Sequence, residues 1–203
     1  MGSFFIALEL ISAIIGTINY KKFASKYTAY FLFFLWYIVL AETTSVILKK
    51  YGYSNTWIYV VYTFLEFNIL LLMYKSITKL KFTKKIILLF IVLINIIYFV
   101  EVYKQGLTIN TSITTVVGSI FLSIVLILYL KEFLYSDKIL NYSRSLYFWI
   151  TLGSLVYYLG SVPFQAMTNY LKNRDLIYLQ ISLAVFAQVC VIIGFLWSKK
   201  ETK

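Results

Sequence analysis

Four glutamates set inside apolar runs, Glu9, Glu42, Glu66 and Glu101, are the residues of this chain best suited to chemistry. A carboxyl group that deep in an oily stretch is expensive to hold against hydrocarbon, so it belongs to a cavity, a pathway or a buried contact. No Lys, Arg or His lies inside the same runs. The acids must therefore find neutral donors among Asn, Gln, Thr and Tyr, or draw a cation from outside: a metal ion, an organic amine, or protons passed between them.

Catalytic chemistry is poorly served by the remaining residues. With no histidine there is no imidazole base, no His-based zinc site and no Ser-His or Cys-His dyad. Asp137 and Asp175 fall in connectors, so paired aspartates on facing helices are missing. No lysine in the last apolar run could carry a retinal Schiff base, and no Gly-rich phosphate loop is present. The chain reads as a non-enzyme without cofactor. The single cysteine, Cys190, has no partner for an intramolecular disulfide.

The elements that must position the acids follow from composition. The 203 residues are 61% hydrophobic and 13% charged, with a mean hydropathy of +0.82, far from the soluble norm of about a quarter charged. The reading is an all-α, multi-pass membrane protein. Its net charge of +11 comes from Lys and Arg in short clusters flanking the apolar runs, a pattern of membrane spans and not of an extended nucleic-acid groove.

Seven spans are predicted in one transmembrane domain over 1–203, at about 4–20, 28–48, 56–74, 86–103, 112–130, 146–170 and 176–197. Lys21 and Lys22 follow the first run instead of preceding it, which argues for a retained helix over a cleaved signal. Gly106 to Asn110 breaks the pattern, and the connector from Lys131 to Ser145 is expected along the membrane surface. The last span leads to Lys203, which predicts no cytoplasmic effector domain.

Basic residues number 14 on one side of these spans and 5 on the other, placing the N-terminus outside and the C-terminus in the cytoplasm of a bacterial inner membrane. In that orientation Glu9, Glu42 and Glu66 lie about 8, 9 and 15 Å below the outer ends of their helices. Glu101 sits near the outer mouth of span four. Asn95, Thr114, Thr115, Gln165, Asn169, Gln180 and Ser182 share the outer halves, whereas the inner halves are apolar. Glu9, Glu42, Glu66, Asn95, Glu101, Gln165 and Gln180 are therefore the candidate lining of an outward polar pocket.

Other features have a packing reading. Thr115, Ser119 and Ser123 repeat at helical spacing, and Ser12 with Gly16 gives the same small-residue pattern, which lets helices approach closely. The Thr115–Ser119–Ser123 face is also the place to look for contact with a second copy. Pro163 removes one hydrogen bond and is expected to kink span six. The 19 Tyr and 17 Phe partly reflect an AT-rich genome. Tyr20, Tyr27, Tyr51, Tyr53, Trp57, Tyr74, Tyr103, Tyr129, Tyr147, Trp149, Tyr170, Tyr178 and Trp197 fall near span ends, as interfacial aromatic belts do.

The pattern Ala41-Glu42, Asn55, Glu66-Phe67, then Phe148-Trp149-Ile150 with Gly153 and Tyr157, resembles a group of uncharacterised small bacterial seven-helix proteins. That resemblance implies seven helices and no particular activity. Helix count and orientation also match the sugar-transporter type built as two three-helix repeats and a linking helix. However, the acids of spans one to three have no counterpart in spans five to seven, and the proline-glutamine motifs of that class are missing.

Three functions fit. One is a receptor-like or regulatory subunit whose pocket takes a small cationic or polar ligand and which acts through a partner protein. Another is a small cation- or proton-coupled transporter, or a channel at the axis of a homo-oligomer. The third is a structural accessory subunit whose glutamates only bind helices together.

Overall fold

The computed structural model describes residues 2–106, 112–167 and 175–199. The expected break at 107–110, Asn169 and Tyr170 lie outside them. Seven α-helices are present among the described residues, with no strand: α1 (Gly2–Asn19), α2 (Lys26–Lys50), α3 (Thr56–Ile77), α4 (Lys81–Gln105), α5 (Ser112–Leu134), α6 (Leu146–Met167) and α7 (Asp175–Trp197). Five of these, α2, α3, α4, α5 and α7, are long and apolar enough to cross a membrane. Large apolar side chains such as Phe33, Leu40, Leu89 and Phe99 stand on the outer surface, a distribution that suits hydrocarbon and not water.

Helix ends follow capping groups more closely than they follow the apolar runs. The Ser25 hydroxyl accepts from the Thr28 amide at 3.1 Å and starts α2 before the apolar stretch begins. Gly52, at φ 78°, and Gly106, at φ 70°, supply the left-handed backbone just after α2 and at the end of α4. Downstream, α4 starts five residues before its apolar run and α5 continues through Glu132, because the two helices cap each other. The Glu101 carboxylate, near the end of α4, accepts from the amides of Ile113 (3.1 Å) and Thr114 (2.9 Å) and from the Thr114 hydroxyl (2.6 Å). Near the end of α5, Glu132 accepts from the amides of Lys79 and Leu80. Each carboxylate thus meets orphan N–H groups at or just before the other helix's first turn.

Packing gives a ring of six helices in the order α1, α2, α3, α5, α6, α7, closed by α7 against α1, with α4 outside against α3 and α5. Small residues set the closest approaches. A Cβ at Gly118 would lie 2.5 Å from the Phe67 ring, and one at Gly153 would lie 2.8 Å from Cys190. At Gly16 a Cβ would meet Leu32 and Phe195 at 3.2 Å, beside the fully buried Ser12. On α5, Ser119 and Ser123 are buried inside the bundle. Within the ring this side of α5 packs against α3 and α6. The α6 helix continues past Pro163 to Met167.

Several tyrosines expected at the membrane surface are interior instead. Tyr27, Tyr74 and Tyr129 are buried, with Tyr27 edge-on to Tyr74 and Tyr147 at centroid distances of 5.8 and 4.5 Å. The Tyr74 hydroxyl lies 3.1 Å from Thr151 Oγ1, and that of Tyr147 lies 3.1 Å from Ser25 Oγ. Facing α2, α3, α5 and α6 bring these rings together, so they close the lysine-rich end of the ring. Tyr51, Tyr53, Trp57, Tyr103, Tyr178 and Trp197 are exposed. After α5 the chain runs as a 3₁₀ segment, Asp137–Arg144, broken at Asn141.

Removing Glu101 strands the buried Thr114 amide, whereas the amides capped by Glu132 are exposed. Glu101→Ala is expected to lower stability by roughly 1–3 kcal/mol and Glu132→Ala by a smaller amount, about 0.5–1.5 kcal/mol, read as a fall in melting temperature in detergent micelles. A variant as stable as the parent would show that α4 is held by apolar contact alone.

Candidate functional site

The ring encloses a cavity of about 810 Å3 that collects side chains from α1, α2, α3, α5, α6 and α7. Glu9, Glu42, Glu66, Gln165 and Gln180 line it together, as do Thr115 and Ser119. Among the described residues, none that lines it is Lys or Arg. Its acids sit towards the end of the bundle that carries the start of α1, the end of α2 and the start of α3. At the opposite end Phe31 and Phe34 form the floor, and Phe31 stacks on Tyr27 at 6.5 Å. Acids towards one end and aromatic rings towards the other therefore divide the cavity along the ring axis.

Glu66 is the best satisfied of the three acids. Tyr158, from α6, donates to its Oε1 at 2.6 Å, and Tyr62, one turn earlier on α3, donates to the same atom at 3.3 Å. The helical repeat places Tyr62 over Glu66, and the Tyr37 ring stacks on Tyr62 at 5.7 Å and 8°. From the other side a chain of hydroxyl and amide groups reaches the same α6 turn. Ser119 Oγ donates to Gln165 Oε1 (3.0 Å), Gln165 Nε2 donates to Ser161 Oγ (3.1 Å), and Ser161 donates to the Tyr158 carbonyl (3.0 Å). The phenol that holds Glu66 is thus braced against α5.

Glu42 has a lighter tether. The Tyr59 hydroxyl donates to Glu42 Oε2 at 3.4 Å while accepting from Ser45 Oγ at 2.8 Å. Asn55 Nδ2 in turn donates to Ser45 at 2.7 Å, so the α2–α3 turn orients the phenol. Glu9 is only 8% exposed, and among the described residues its Oε2 has no hydrogen-bond partner. Gln188, on α7, likewise carries a buried Oε1 without a partner among them. Glu9 and Glu42 line the same cavity, and so do Tyr62 and Tyr157.

Two candidates belong elsewhere. Asn95 faces α3, where its Nδ2 donates to Asn68 Oδ1 at 2.8 Å and to the Ile91 carbonyl at 2.6 Å. It ties α4 to α3 outside the ring. Glu101 caps α5, as described above. Both are polar residues in the half of the bundle that also holds the cavity mouth, but axial depth does not give the face of the helix. Conversely, Tyr59, Tyr62, Tyr157, Tyr158 and Gln188 line the cavity and were not singled out as site residues in the sequence. Gln188 repeats Gln180 and Ala184 at steps of four residues, a legible signal. Tyr158 lies 92 residues from Glu66, and no local pattern joins them.

Among the described residues no group of three His, Cys, Asp or Glu is placed to hold a metal ion. The carboxylates are separated around the wall, so they offer individual acceptors and not a coordination shell. No family model, curated protein or solved structure matches the chain.

The Tyr158–Glu66 bond crosses from α6 to α3 and should couple those helices. A double-mutant cycle with Tyr158→Phe and Glu66→Gln is expected to give a coupling of roughly 1 kcal/mol, above the ~0.6 average of interhelical hydrogen bonds in membranes, because the acceptor is a carboxyl group. Equilibrium unfolding in mixed micelles measures it. A coupling near zero would mean that the two groups meet without holding the helices.

Proposed function

We propose that the chain is a non-enzymatic integral membrane protein whose seven helices all cross the bilayer, N-terminus outside and C-terminus in the cytoplasm. In this reading it is a receptor-like or regulatory subunit. Its pocket opens to the outer face, takes a small cationic or polar ligand, and alters how the bundle meets a partner protein. One observation carries the reading: three helices each turn a carboxyl group into one cavity whose lining has no basic residue among the described residues. A purely structural role would not need that volume beside the acids, since interhelical polar groups pack best against each other.

The aromatic floor favours binding over passage. Phe31, Tyr27, Tyr74 and Tyr147 stand between the cavity and the lysine-rich end, held by ring contacts and by the Tyr74–Thr151 and Tyr147–Ser25 hydrogen bonds. A transport reading draws on a different observation. Because α4 stands outside the ring, the remaining helices fall into two groups of three, α1–α3 and α5–α7, and rocking of one against the other would open the floor.

The two readings separate in reconstituted protein. A cationic ligand that shifts the melting temperature of the folded chain, without uptake into sealed liposomes, is the expected outcome, and Glu42→Gln with Glu66→Gln should abolish the shift. Flux lost in the same variant would establish transport instead. An unchanged cellular phenotype and unchanged ligand response in that variant would leave the accessory role. A fluorescent protein fused after Lys203 should fluoresce in the cytoplasm, whereas an active periplasmic reporter there would turn the cavity mouth inward.

A further inference from the structure

The three acids are not equivalent, and the difference identifies the ligand class and its anchor. Glu66 Oε1 already accepts two phenolic hydrogens. Glu9 Oε2 is buried and unpartnered among the described residues, and so is Gln188 Oε1. Both residues line the same cavity, and both atoms are buried acceptors short of a donor. Glu42, the second acid at this end, has one long hydrogen bond of 3.4 Å. The unmet demand is therefore for hydrogen-bond donors, concentrated on α1, α2 and α7 and not at Glu66, and a donor that also carries positive charge suits the two acids among them.

Size and wall chemistry narrow the donor further. A cavity of about 810 Å3 is in the range that takes a drug-sized molecule, much more than an inorganic cation needs. Away from the acids its wall includes Phe31, Phe34, Leu35 and Phe67, surfaces that take an apolar or ring-bearing body. Resting on the reading of a cation-selective pocket, we propose that the ligand is an organic primary or secondary amine: its ammonium group sits at the Glu9 and Glu42 side of the cavity, donates to the Glu9 carboxyl group, and lays its apolar body along the aromatic wall. Glu66, clamped by Tyr158 and Tyr62, is a positioning residue that joins α3 to α6 and shapes the far side.

The test uses the full chain in lipid nanodiscs with 2-phenylethylamine as probe, beside 2-phenylethanol, which lacks the charge, and trimethyl(2-phenylethyl)ammonium, which lacks the N–H. Titration calorimetry should show the amine binding at least about tenfold more tightly than either analogue. Glu9→Gln and Glu42→Gln should each weaken it by at least about tenfold, and Glu66→Gln by no more than about threefold. Should Glu9→Gln fail to fold, Glu9→Asp keeps the charge and is expected to retain binding weakened several-fold. Equal binding of the alcohol would overturn the amine assignment and leave a ligand pocket standing. Equal binding of the quaternary compound would overturn the donor requirement, and a larger loss at Glu66 than at Glu9 would move the anchor. No binding of any of the three compounds at millimolar concentration by folded protein would sink both the assignment and the pocket reading.

Discussion

Keeping carboxyl groups off hydrocarbon is the constraint on which the rest of this bundle depends. In lipid a polar side chain cannot be left facing outward at low cost, and here no basic side chain lies within the apolar runs to neutralise it. The chain answers by turning the three acids of α1, α2 and α3 inward onto a shared space and supplying phenols as donors. Tyrosine suits the task because its ring satisfies the apolar interior while its hydroxyl reaches the acid. A cavity is the by-product of bringing such bulky, oriented groups around separated carboxyls.

The fourth acid in an apolar run solves a different problem by the same physics. Each end of α4 lies beside an end of α5, and Glu101 and Glu132 bridge them in opposite directions. Four orphan amides are covered by two carboxylates, and the partial positive charge of each helix start favours the negative group. A helix outside the ring, with few buried residues of its own, gains a defined attachment. The six ring helices are then free to differ in spacing around the cavity, with close contact where glycine permits it, at Gly118 and Gly153.

Much of the fold was legible before any coordinates. Apolar runs of about 20 residues separated by lysine clusters locate the helices, because hydrocarbon thickness imposes that length. Ends were less legible: α4 begins at Lys81 and α5 reaches Leu134, since lysine and glutamate flanks are good helix formers and continue a helix past its apolar stretch. Tyrosine position misled more seriously. Tyr27, Tyr74 and Tyr129 sit near span ends, as interfacial anchors do, yet they face one another in the interior. Distance from a span end is a depth, whereas burial is decided by rotation about the helix axis.

That distinction separates what the amino-acid order determined from what the tertiary structure decided. Hydrophobicity and charge along the chain determined a helical membrane protein with polar groups at one end of its helices, because both are one-dimensional quantities set by water and lipid. Which of those groups share a space was decided only by packing. Glu9, Glu42 and Glu66 meet in one cavity while Asn95 and Glu101, at similar depths, are spent on helix contacts. Helices that run side by side choose their facing stripes through non-local contacts such as Phe67 against Gly118 and Tyr158 against Glu66, and no short stretch of sequence contains both partners.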